Sequence, residues 1–97
     1  MSVPSFSPAA AQAVQVLGDH WRLSLLLCLY NGPRRFNQLR EDLPRITPRS
    51  LSTKLKDLQE AGYVTKHCPD NNRNFCEYAL SPRARQLKPA LKAILYI

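Results

Sequence analysis

The feature that most restricts this chain is a leucine stripe carrying its own start and stop signals. Thr47 is a good helix cap, Pro48 suits a first helical position, Leu51, Leu55 and Leu58 recur at steps of four and three, and Gly62 supplies the stop. A helix built this way must bury one side. Stepping about 100° per residue from Leu51 turns Arg49, Thr53, Lys56 and Glu60 away from the buried side and leaves Ser50 and Ser52 on its flanks. The outward face is therefore rich in hydrogen-bonding groups toward the N-terminal half of the helix.

The surrounding segments narrow the fold. Residues 35–43 read as a short helix with Phe36, Leu39 and Leu43 inward, ended by Pro44, so that only residues 44–46 separate it from the cap at Thr47. Upstream, residues 8–18 form a helix opened by Pro8, with Ala10, Val14 and Leu17 on one face and Gly18 as the stop. Asp19 then caps a central buried helix over residues 21–31, where Trp21, Leu25, Cys28 and Leu29 recur at helical steps until Gly32-Pro33. Downstream, residues 63–68 and 75–80 are β-prone runs on either side of the turn-rich Pro69-Asp70-Asn71-Asn72-Arg73-Asn74, which together read as a hairpin. Ser81-Pro82 opens a last helix running to about residue 96. A helix, a very short connection, a second helix with a polar outer face and then a hairpin is the winged form of the helix-turn-helix. The expected fold is mainly α with a small β-hairpin. A chain of 97 residues has room for one such domain and no second core.

Charge points to the partner. Fourteen Lys and Arg against seven Asp and Glu give a formal +7, an excess that on a small domain favours a polyanion. Its placement selects double-stranded DNA, because Arg34, Arg35, Arg40, Arg45 and Arg49 fall within sixteen residues spanning the helix-turn-helix. Arg49, Ser50 and Thr53 are the expected readers of base edges, since arginine pairs with guanine and hydroxyls contact either bases or phosphates. Arg34, Arg35, Asn37, Gln38, Arg45, Ser52, Lys54 and Lys56 are the expected contacts to the DNA backbone, and Asn72 with Arg73 at the hairpin tip can enter a minor groove.

Other chemistries lack their residues. The longest apolar run, residues 23–30, is broken by Ser24 and is far short of the ~20 residues that cross a bilayer. Residues 1–8 lack the basic start and apolar stretch of a secretory signal, so a cytoplasmic protein is expected. No Gly-rich phosphate loop and no Ser/His/Asp set is present, and Asp57 with Glu60 lacks a nucleophile alongside, so neither catalysis nor a cofactor is expected. Cys28 reads as a core residue. Cys68 and Cys76 flank the turn beside His67; they are read as neighbouring free thiols, with a redox pair as the alternative and too few ligands for a structural zinc site.

Several stretches carry a family resemblance: Leu17-Gly18-Asp19-His20-Trp21, Asn31-Gly32-Pro33-Arg34-Arg35-Phe36-Asn37-Gln38-Leu39, Ile46-Thr47-Pro48-Arg49-Ser50-Leu51, Leu55-Lys56-Asp57-Leu58-Gln59-Glu60-Ala61-Gly62-Tyr63-Val64 and Tyr78-Ala79-Leu80-Ser81. Together they resemble the HxlR-type transcriptional regulators across residues 7–91. The resemblance implies a prokaryotic homodimer that binds operator DNA, with the first and last helices, about residues 8–18 and 82–96, forming the dimer interface. Some members of that family sense electrophiles or oxidants through a cysteine directly before a proline at the start of the first helix; this chain has Ser7-Pro8 there. A protein-interaction module and a regulator responding to redox state through Cys68 and Cys76 are the two rival readings.

Overall fold

The computed structural model describes residues 5–71 and 75–97. Its helices and strands run, in order, α1 (Pro8–Leu17), α2 (His20–Cys28), β1 (Arg34–Arg35), α3 (Phe36–Asp42), α4 (Pro48–Glu60), β2 (Val64–His67), β3 (Glu77–Leu80) and α5 (Lys88–Leu95). Each long helix starts where a side chain satisfies an otherwise orphaned N–H: Ser7 accepts from Ala10, Asp19 from Arg22 and Thr47 from Ser50.

The core lies where α2 and α4 cross and is closed by the sheet and α5. Leu25, Leu26 and Leu29 of the α2 region, Leu39 of α3, Leu51, Leu55 and Leu58 of α4, and Leu91 of α5 are all fully buried. The leucine stripe of α4 is thus inward as its spacing requires. On α1 Val16 is buried and Leu17 packs against the core, whereas Val14, expected on the same face as Leu17, is 53% exposed. Helix α1 packs on α2 and is bonded to Arg83 through Gln12.

Two boundaries differ from the periodicity. Helix α2 ends at Cys28, and the chain then tightens into three-residue turns, with Tyr30 N–H donating to Leu27 O at 3.2 Å and Gly32 N–H to Leu29 O at 3.2 Å. This turns the backbone toward Gly32-Pro33 and lets the next residues join the sheet. The last helix begins at Lys88 and not at residue 82, preceded by a 3₁₀ turn over Ala84–Leu87. Pro89 has no N–H to give Arg85 O in a continuous helix, and Lys88 N–H takes that acceptor instead.

The sheet has three strands in the order β1-β3-β2, all antiparallel. The hairpin pairs Val64 with Leu80 through to His67 with Glu77, as the two β-prone runs imply. Strand β1 is new relative to the sequence reading: Arg34 pairs with Tyr78 and Arg35 with Glu77, tying the start of α3 to the hairpin.

The α4–β2 corner is closed by a Schellman turn. Gly62 adopts φ +83°, Gly62 N–H donates to Gln59 O at 3.0 Å and Tyr63 N–H to Leu58 O at 2.9 Å. Buried Ser81 locks it from the other strand, its hydroxyl donating to Gly62 O at 2.6 Å and accepting from Ala84 N–H at 3.1 Å. Arg83 adds a guanidinium that donates to Ala61 O at 3.2 Å, bonds Gln12 of α1 and lies 4.9 Å from the Tyr63 ring centre.

Two ion pairs fix α4 against α2. Lys54 Nζ lies 3.1 Å from Asp19 Oδ1, and Arg22 Nη2 lies 3.2 Å from Asp57 Oδ2. The Arg22 backbone N–H holds the Asp19 carboxyl below its usual value near 3.8, with the Lys54 ammonium adding to that and partial burial opposing it.

Two stability tests follow. Ser81→Ala leaves Gly62 O and Ala84 N–H without this partner, and should cost about 1–3 kcal/mol in urea unfolding without changing the dependence on urea. Because the Asp19 carboxyl is depressed in the fold, its contribution is present above pH ~4 and is lost as pH falls through the folded value. Asp19→Asn should therefore unfold with a deficit of about 0.5–1 kcal/mol at pH 7 that closes below pH ~4. A deficit independent of pH would show that the charge contributes nothing.

Candidate nucleic-acid interface

Burial of Leu51, Leu55 and Leu58 fixes the rotation of α4, and its opposite face is open. Arg49, Ser52, Thr53 and Lys56 are exposed and Ser50 is half-buried. Thr53 donates its hydroxyl proton to Arg49 O at 3.0 Å, which fixes the hydroxyl while leaving its oxygen able to accept. The capping hydroxyl of Thr47, held by Ser50 N–H at 3.1 Å, places Arg49 in the first turn.

Beside this face, α3, α4 and the sheet enclose an open cleft of about 470 Å³ lined by Arg35, Asn37, Gln38, Ser52, Lys66 and Tyr78, with Phe36 and Cys76 completing its wall. Strand β1 places Arg35 there. Its guanidinium lies 5.1 Å from the ring centre of Phe75, while Lys66 Nζ lies 5.7 Å from that of Tyr78 on the same sheet. Gln38 is half-buried and accepts from Arg35 N–H at 2.8 Å, so its carbonyl oxygen serves the start of α3 and its amide N–H₂ remains a donor. Asn37 is exposed at the mouth.

Other expected contacts are engaged within the fold. Arg34 makes a two-pronged bond to Asp42, at 3.0 and 2.9 Å, and this hydrogen bonding raises the guanidinium pKa. Lys54 is turned to Asp19. Among the described residues, ion pairs engage Arg22, Arg34 and Lys54, whereas Arg35, Arg40, Arg45, Arg49, Lys56 and Lys66 carry none. Of these, Arg49 and Lys56 lie on the open face of α4 and Arg35 and Lys66 line the cleft, while Arg83, Arg85, Lys88 and Lys92, in the segment leading into and along α5, likewise make no ion pair among the described residues. Lys66 and Tyr78 were not singled out from sequence, because their position depends on the pairing of β2 with β3 across the turn. Asn72 and Arg73 lie outside the described residues.

The cysteines differ from the sequence expectation. Cys68 and Cys76, read as free thiols, are joined in a disulfide, with Cα atoms 4.0 Å apart at the next position of the β2–β3 register beyond His67 and Glu77. The antiparallel ladder brings residues eight apart in sequence face to face, a distance that residue spacing alone leaves open. Cys28 is free, half-buried, and desolvation pushes its thiol up to about 11. Among the described residues no group of three His, Cys, Asp or Glu is placed to hold a metal ion, and no helix is long and apolar enough to cross a membrane.

This arrangement has counterparts among known proteins. The family model described as HxlR-like helix-turn-helix matches residues 16–96. The chain is 30% identical over 94 residues to YvaP of Bacillus subtilis (strain 168), described as an uncharacterized HTH-type transcriptional regulator, covering 97% of this chain and 87% of YvaP. It is 31% identical over 78 residues to YdeP of the same organism, described likewise, covering 80% of this chain and 61% of YdeP. Among solved structures, the redox regulator HypR in its reduced form superposes with a TM-score of 0.81 at 29% identity, covering 93% of this chain and 88% of HypR. With its helices, its three-stranded wing sheet and these sequence matches in agreement, the chain belongs to the HxlR-like helix-turn-helix family of transcriptional regulators.

Proposed function

We propose that the chain is a homodimeric, sequence-specific DNA-binding regulator that enters successive major grooves with α4 from each copy. The observation that carries this reading is the two-sidedness of α4: three leucines fully buried on one side, and Arg49, Ser52, Thr53 and Lys56 exposed on the other beside a cationic cleft. Arg49, Ser50 and Thr53 read base edges from the N-terminal half of the helix. Arg35, Asn37, Gln38, Arg45, Ser52, Lys56 and Lys66 hold phosphates. Arg34 and Lys54, assigned to the DNA backbone on sequence grounds, act here through their carboxylate partners as positioning residues for α3 and α4. Asn72 and Arg73 keep their assignment to the minor groove.

Exposed apolar side chains support dimerisation through the terminal helices. Phe6 and Val14 at the α1 end, and Ile94, Leu95 and Tyr96 at the end of α5, are between 38% and 71% exposed. Side chains of this kind on a small domain find cover in a second copy. Symmetry then sets the half-sites about one helical turn, ~34 Å, apart. Such a protein works by association alone and needs no bond-making chemistry or cofactor, and it acts in the cytoplasm, where prokaryotic DNA lies.

Selection of bound sequences from a random duplex library should return a pseudo-palindrome with that spacing. On the selected site, Arg49→Ala should cost about 1–3 kcal/mol and relax preference at one base pair. Arg35→Ala should weaken all sequences alike and reduce the salt slope by about one. Equal losses on every sequence from Arg49→Ala would refute its role as reader, and no duplex binding at low salt would favour a protein partner for this face.

A further inference from the structure

The Cys68–Cys76 bridge borders the cleft and sits between the two residues that hold Arg35. Cys76 contributes to the cleft wall, Phe75 before it carries the Arg35 guanidinium at 5.1 Å, and Glu77 after it is the strand partner of Arg35. Residues 75–77 are therefore one short clamp on Arg35, anchored to β2 through the disulfide. Strands β2 and β3 have four residues each, and the disulfide joins them covalently at the position beyond His67 and Glu77.

We propose that Cys68 and Cys76 are a thiol–disulfide switch on the DNA-binding face, the bridged form binding operator DNA tightly and the dithiol form weakly; this rests on the DNA-binding reading above. In the reducing compartment where such a regulator works, a disulfide that persists unconditionally is uncommon, and a reversible one is the usual kind. Opening proceeds by exchange with a low-molecular-weight thiol. Its thiolate attacks one cysteine sulfur, forming a mixed disulfide and expelling the other cysteine as a thiolate that takes up a proton. A second thiol then releases the first cysteine, so that two electrons and two protons enter the protein and the reductant leaves as a disulfide. Closing uses a peroxide. One cysteine thiolate is oxidised to a sulfenic acid as the O–O bond breaks and water or an alcohol departs, and the second thiol condenses with it, releasing water. Cys28 takes no part, since its half-buried thiol is held protonated by a pKa of about 11.

Once open, β2 and β3 lose their covalent tie beyond His67 and Glu77, Phe75 is free to leave Arg35, and the cleft-facing cation is no longer preorganised. An affinity falls by the fraction of molecules in the competent arrangement, so occupancy of about one in ten weakens binding roughly tenfold.

The test uses the full chain and a duplex selected with the oxidised protein. Dissociation constants are measured after hydrogen peroxide and after dithiothreitol, with bridge status read by mass spectrometry of alkylated peptides. Roughly tenfold weaker binding by the reduced form supports the switch. A Cys68→Ser/Cys76→Ser double variant should bind like the reduced form and respond to neither reagent; if it fails to fold, the two states of the unaltered protein still decide. Equal binding by open and closed forms leaves the DNA-binding reading intact and overturns the switch. Absence of duplex binding in both forms at low salt overturns the two together.

Discussion

Burial of the α4 leucines against α2 is the constraint on which the remainder depends. Leu51, Leu55 and Leu58 lose all contact with water beside Leu25, Leu26 and Leu29, and each such side chain contributes about 1.5–3 kcal/mol of burial. No rotation of α4 about its axis keeps those contacts and hides Arg49 or Thr53. The open polar face of α4 is in this sense a by-product of the core: the same packing that folds the domain aims the polar side outward. The Asp19–Lys54 and Arg22–Asp57 pairs add alignment more than energy, since partly exposed ion pairs contribute little.

The sheet performs a second task by joining the helix-turn-helix to the wing. Two residues, Arg34 and Arg35, are all that α3 needs to share backbone bonds with β3, and this brings Arg35, Lys66 and Tyr78 to one cleft although they are distant in sequence. The Schellman turn at Gly62 and the buried hydroxyl of Ser81 hold the opposite end of the hairpin to α4. The wing is consequently tied at its base to α4 and at its side to α3.

Much of this was legible in the chain because it is local. Thr47-Pro48, Asp19, Gly62 and the leucine spacing state where helices begin, end and face, and those signals act over one or two turns. Misreadings arose where a local pattern competed with a longer-range demand. The last helix waits for Lys88 because Pro89 cannot donate, and α2 stops at Cys28 so that the chain can reach the sheet. Val14 faces out because nothing within α1 encodes which neighbour it meets.

The sequence by itself determined the winged helix-turn-helix order, the two-sided character of α4 and the cationic excess, since periodicity, capping and charge are properties of residues near one another along the chain. Tertiary structure alone decided which cations stay uncompensated. Arg34 and Lys54 look like any other surface cations until Asp42 and Asp19 are brought within 3.1 Å of them, by the fold of β1 back along α3 in one case and by the packing of α4 on α2, across thirty-five residues, in the other. The joining of Cys68 to Cys76 is of the same kind: it depends on strand register, which the hydrogen-bonded ladder sets and no spacing of residues can.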